Sequence, residues 1–297
     1  VAIGQSWAYA GALLAGLGSA AALHGALAAA PWLYAAASVW LLVASLLIVR
    51  RQRALFTVTL ALGAACWLVG NLLWLRGAAV HEVMPWWLSF LILTIAGERL
   101  ELSRLMPPSR AARVVFMLLL VAIVAGLVSS GTVQGGQLFG VALTGLAMWL
   151  LRQDIARRTV RQRGLTRFIA VCLLSGYAWL GVGGLAFAFA SPVHPGNVFH
   201  DAAVHAIGLG FVFSMVFGHA PIIFPAVLRV TIAYHPVFYG PLLLLHASLL
   251  LRLAGDATLS FPAVRMGGML NALALATFII STALAAWRGT RSRARSR

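Results

Sequence analysis

Ten apolar runs succeed one another along the chain, near residues 7–29, 32–49, 54–75, 85–105, 112–130, 136–151, 168–190, 201–228, 238–253 and 262–287. Each is close to the ~20 residues that a helix needs to cross a bilayer. A chain in which such runs leave only short connections has one fold class open to it: an all-α, polytopic transmembrane helix bundle of about ten spans. Composition agrees, with 62% hydrophobic and only 9% charged residues.

The net charge of +16 raises the question of nucleic acid. The position of the cations answers it. All 22 are Arg, and they fall in clusters between apolar runs. Nineteen lie on one side if ten helices alternate; only Arg76, Arg252 and Arg265 fall on the other. That is the positive-inside pattern. It predicts that both ends are cytoplasmic, that the partners include membrane lipids and that nucleic acid is not among them. A chain without Lys and rich in Ala, Leu and Gly reads as the product of a GC-rich bacterium, so the expected location is the bacterial inner membrane. The domain organisation follows: a single transmembrane helical domain over 1–287 and a basic cytoplasmic tail over 288–297, expected to be disordered near anionic headgroups.

Connections are read from breakers and charges. "MPPSR" closes the fourth run through Pro107 and Pro108, "SSGTVQGGQ" is a turn, and "RQDIARRTVRQRGLTR" predicts a short helix with Asp154 facing Arg157 and Arg158. In "AGERLELSR", Glu101 and Arg104 are spaced for an ion pair. Trp32, Trp86 and Trp87 read as interface aromatics. Cys66 and Cys172 lie in separate apolar runs and read as buried reduced thiols.

Histidines inside apolar runs carry the functional signal, because ionisable residues there are rare and usually functional. By helical rise, His24 and His205 lie roughly 7 and 6 Å below one surface, and His219 and His246 roughly 13 and 12 Å from the other. Each pair stands at one depth on two different helices, as two axial ligands of a b-type haem must. Imidazole is equally the common ligand of copper and zinc. His205 and His219 lie on nearly one face, about 21 Å apart, and so would serve separate sites. His81, Glu82, His194 and His200 are expected in outer loops. Arg252 and Arg265 lie within apolar runs against the charge trend; haem propionates would suit them as acceptors, with Asp256 or snorkelling to the surface as the alternative. Pro221 and Pro225 in "GHAPIIFP" predict a loosened helix just below His219. Gly208 and Gly210 give a flat helix surface.

The stretches "HDAAVHAIGLGFVFSMVFGHAP" and "LLLLHASLLLRLAGD" resemble the NnrS family, polytopic haem- and copper-associated bacterial membrane proteins linked to nitric-oxide stress. That family is distantly similar to the catalytic subunit of haem–copper oxidases. "HD…FVFSM" is similar to an oxidase helix that begins His-Asp and ends Leu-Ser-Met; where that helix has two haem-ligating histidines, this chain has Gly208 and Gly210, with His205 offset from both. The resemblance covers about fifty residues. It implies haem b, with copper or a second haem, held by His205, His219 and His246, and electron-transfer or nitric-oxide/oxygen chemistry with a redox partner or larger membrane complex. Two other functions suit the residues: a transporter with a His-lined path through broken helices, and a non-catalytic membrane subunit whose histidines are structural.

Overall fold

A computed structural model describes residues 6–102, 108–191, 196–230, 232 and 234–295. Every regular element among them is helical. Nine helices among the described residues are long and apolar enough to cross a membrane by length and composition, each within a few residues of an expected run. The first run is the exception. After a 3-10 turn, α1 covers only Ala10–Leu23. It stops there because Gly25 takes φ +79°. Ala26 N–H then bonds back to Ala21 O at 2.8 Å and Gly25 N–H to Ala22 O at 3.2 Å, closing the helix end. His24 is therefore the cap of a short helix and is exposed, rather than a residue inside a long one.

The chain divides into two compact units, Val1–Pro107 and Pro108–Arg297. In the first, α2 (Ala30–Arg51), α3 (Leu55–Leu75) and α4 (Val80–Leu102) follow α1, each packed on its predecessor. A Cβ on Gly70 would lie 2.8 Å from the Trp87 ring, so α3 and α4 approach more closely than any larger residue permits. Trp87 Nε1–H donates to Asn71 Oδ1 at 3.0 Å, and Asn71 Nδ2 donates to Tyr34 O at 3.1 Å. His81 and Glu82 lie in the first turn of α4 rather than in a loop, and Glu82 accepts the Ala79 N–H at 2.8 Å. Arg104 and Pro107 lie outside the described residues, as does His194.

The second unit holds α5 (Arg110–Val128), α6 (Val133–Gln153), the short α7 (Ala156–Thr159), α8 (Gly164–Phe189), a long rod over Val198–Leu228, α11 (Tyr239–Ala257) and α12 (Phe261–Arg295). Ser109 and Thr132 cap α5 and α6 through their hydroxyls. The predicted helix in the basic loop exists, but the Asp154 carboxylate caps α7 at Ala156 N and accepts the buried Tyr177 hydroxyl. Helix α12 runs on through the expected tail to Arg295, Gly289 included. Cys66 and Cys172 are buried free thiols.

Helix α8 is the hub. It meets α6 through Gly140 and Gly184, where an added Cβ would lie 2.4 Å from Ala188 N and 2.6 Å from Thr144 Oγ1. It meets the rod through Gly176, Gly183, Gly210 and Gly218. The rod itself is not uniform. It is α-helical over Val198–His205 (α9), π-helical over Ala206–Phe213 and α-helical again over Ser214–Leu228 (α10). The irregularity thus falls between the two histidines, while α10 continues through Pro221 and Pro225. Wider π turns lag the ordinary rotation, so His205 and His219 do not keep the common face that uniform helical geometry predicts. Where the π stretch ends, the Ser214 hydroxyl covers the Gly210 carbonyl at 2.6 Å.

Candidate functional site

His205 closes α9. Its Nδ1 lies 2.8 Å from Asp201 O one turn earlier and 3.3 Å from Asp201 Oδ2. A carbonyl oxygen only accepts, so Nδ1 carries the proton and Nε2 carries the lone pair. Behind it, Arg252 Nη2 of α11 donates to Asp201 Oδ2 at 2.9 Å. The partner of Arg252 is therefore Asp201, which the sequence reading left unassigned, and Asp256 stands beside the same carboxylate. Arg252 sits where α12 packs tightly: a Cβ on Gly267 would lie 2.8 Å from its Cα. Arg265 has no part in this cluster and is exposed on α12.

His219 repeats the local pattern. Its Nδ1–H donates to Met215 O at 2.6 Å, one turn earlier on α10, and this again leaves the lone pair on Nε2. His246 differs. Trp179 Nε1–H of α8 donates to its Nδ1 at 3.0 Å, so the remaining proton is on Nε2, which donates to Ser175 Oγ at 3.1 Å. The Ser175 hydroxyl passes on to Cys172 O at 3.1 Å. Both nitrogens of His246 are in use, and it turns to α8. For it to bind a metal, one of these bonds must break.

His24 belongs to the first unit and His205 to the second. His200 lies in the first turn of α9, capped by Asn197, with its ring edge-on to Phe187 at 5.8 Å. Among the described residues no group of three or more His, Cys, Asp or Glu side chains is placed to hold a metal ion. What the second unit offers is the His205 imidazole with an oriented Nε2 lone pair, the donor that haem iron takes from a protein. Beside it the π stretch presents two unlike glycines. A Cβ on Gly210 would lie 2.4 Å from the Trp179 ring, whereas one on Gly208 would meet nothing within 4 Å.

Fold and site together define an all-helical protein whose long apolar helices carry oriented imidazoles and a half-buried Arg–Asp pair. The chain belongs to the DUF8744 family, described as a domain of unknown function, which matches residues 1–287. No curated protein and no solved structure matches it.

Proposed function

We propose that this is a multi-pass protein of the bacterial inner membrane that binds haem b through His205 and works in electron transfer or in nitric-oxide- or oxygen-related redox chemistry. The observation that carries this reading is the His205 Nδ1–H bond to Asp201, with the carboxylate and Arg252 behind it. Haem-ligating and metal-ligating histidines are oriented in this way: the outer nitrogen is tied to a carbonyl or carboxylate, which fixes the tautomer and raises the basicity of the other. When bound, haem supplies a redox-active iron; the chain supplies the imidazole and its orientation. His219 is oriented alike and is the ligand for a second haem or copper site. His246 is left as a structural residue. Membrane residence is supported by large apolar side chains on the outside of the second unit, such as Leu118, Val121, Met148 and Ile279, each more than 60% exposed. Lipid suits such a surface and water does not. The Arg residues that follow α2, α6 and the rod, and those in the last turns of α12, go to the cytoplasmic side.

The test is optical. Detergent-purified protein should show a Soret band with matching iron, and His205→Ala should remove it. Split α/β bands on reduction would mean a second strong axial ligand. A colourless sample free of iron and copper ends the reading.

A transporter is the second reading, and one observation favours it. Arg252 Nε and Asp256 Oδ2 are buried with no hydrogen-bond partner among the described residues, beside a helix whose ladder changes at the π stretch. Groups of this kind can receive a passing ion. Metal uptake into proteoliposomes that His219→Ala abolishes would select this reading over the first.

A further inference from the structure

The second unit contains a cavity of about 420 Å³ between the α10 end of the rod and the second half of α12, bordered by Val230 and Ile232. Phe213, Phe217, Phe224 and Phe278 line it, and Phe217 and Phe278 are stacked with centroids 3.8 Å apart. No charged side chain lines it. One hydroxyl does. Thr282 is 4% exposed, and its Oγ1 is buried with no hydrogen-bond partner among the described residues. A helical Thr ordinarily bonds back to its own helix, as Thr277 does to Leu273 O at 2.9 Å. For Thr282 the corresponding acceptor is Phe278 O, which already accepts from Ser281 Oγ at 3.0 Å.

We infer that this cavity is a binding site for a neutral, ring-bearing, lipid-soluble carbonyl compound of the isoprenoid quinone class. The ring lies among the phenyl groups, and one carbonyl accepts the Thr282 O–H. The size is that of a small-molecule site, apolar walls with a single placed polar group. An anionic lipid headgroup finds no cation in the lining. An acyl chain could fill the space but would leave the hydroxyl unmet, and a buried hydroxyl without a partner is destabilising. Val216 and Phe224, both partly exposed, mark the side on which a long tail leaves along the helices. His205 and His219 do not line this site, so it stands whether or not the chain binds haem.

Equilibrium binding of radiolabelled decylubiquinone to the detergent-purified whole chain tests the site, with decylbenzene as the carbonyl-free competitor. Saturable one-to-one binding is expected, and decylbenzene should compete poorly. Thr282→Val should weaken binding about fivefold, the value of one hydrogen bond. It should also raise the melting temperature of the ligand-free protein, because it removes an unmet hydroxyl. Val216→Trp, a change at the exposed rim, should block binding with the melting temperature unmoved. Absence of saturable binding, unchanged affinity in Thr282→Val, or equal competition by decylbenzene would each overturn the inference; the last would mean that an acyl tail fills the cavity.

Discussion

His205 and His246 belong to the same unit, and both lie in apolar helices, yet they are satisfied in opposite ways. His205 bonds one turn back along its own helix, to Asp201. One nitrogen is thereby fixed and the other keeps its lone pair. His246 bonds across to α8, to Trp179 and Ser175, and uses both nitrogens. A local bond to the backbone leaves an imidazole with something to offer a ligand. A pair of interhelical bonds turns it into a clamp. The difference lies not in the histidines but in α8, where Ser175 and Trp179 stand one turn apart and embrace the ring of His246.

Exchanging the two for alanine probes this contrast with the largest effects. If the chain binds haem as proposed, His205→Ala should abolish the Soret band and cost little stability. His246→Ala should then keep the haem but strand the Trp179 N–H in a packed interface, lowering stability by about 1–3 kcal/mol. Haem content and thermal unfolding in detergent, measured on both variants, decide it. Loss of haem in His246→Ala with stability intact would reverse the assignment of roles.

Gly210→Ala attacks the clamp from the other side. The new methyl would meet the Trp179 ring at 2.4 Å, so the indole must move and loosen its bond to His246. A loss of about 1–3 kcal/mol is expected, as for overpacking elsewhere, and little of it should add to the loss in His246→Ala, because the two changes break one contact. Full additivity in the double variant would show that the ring and the imidazole are independent.

Arg252→Met acts on the local pattern instead. It leaves Asp201 without its cation. That carboxylate is 42% exposed on its side chain, so the stability loss should be about 1 kcal/mol, well short of what a fully buried pair would give. On the proposed haem reading, the more informative readout is the midpoint potential. With Arg252 gone, Asp201 turns its full charge on His205, makes the imidazole a stronger donor and lowers the potential. Arg252→Lys should restore it in part. An unmoved potential would separate Asp201 from the haem ligand.

The helices were legible because length and hydropathy alone define them: the rod, expected over 201–228, is found over Val198–Leu228. The end of α1 was less so, since it depends on one glycine at positive φ. The Asp201–His205 pair could have been read from "HDAAVH", an acid four residues before an imidazole. The Asp201–Arg252 bond and the clamp on His246 could not, because they depend on the rotation and axial offset of separate helices. The π stretch shifts that rotation for every residue after it, and no spacing rule based on a uniform helix anticipates this. Prolines at 221 and 225 pointed to the wrong end of the rod, while the glycines at 208 and 210 lay in the right one.

Those glycines offer the smallest change and a sharp one. Gly208→Ala adds a methyl into space where nothing lies within 4 Å. In the ligand-free protein it should stabilise by up to about 1 kcal/mol, since alanine gives up less backbone freedom in a helix than glycine does. If the open space beside Gly208 is where a flat ring lies against the rod near His205, the same methyl must weaken haem affinity. Stability and affinity would then move in opposite directions in one variant, the reverse of what general damage to the fold produces. A variant that is more stable and binds haem as tightly as before would place the ring elsewhere, on a face of the rod that Gly208 does not share.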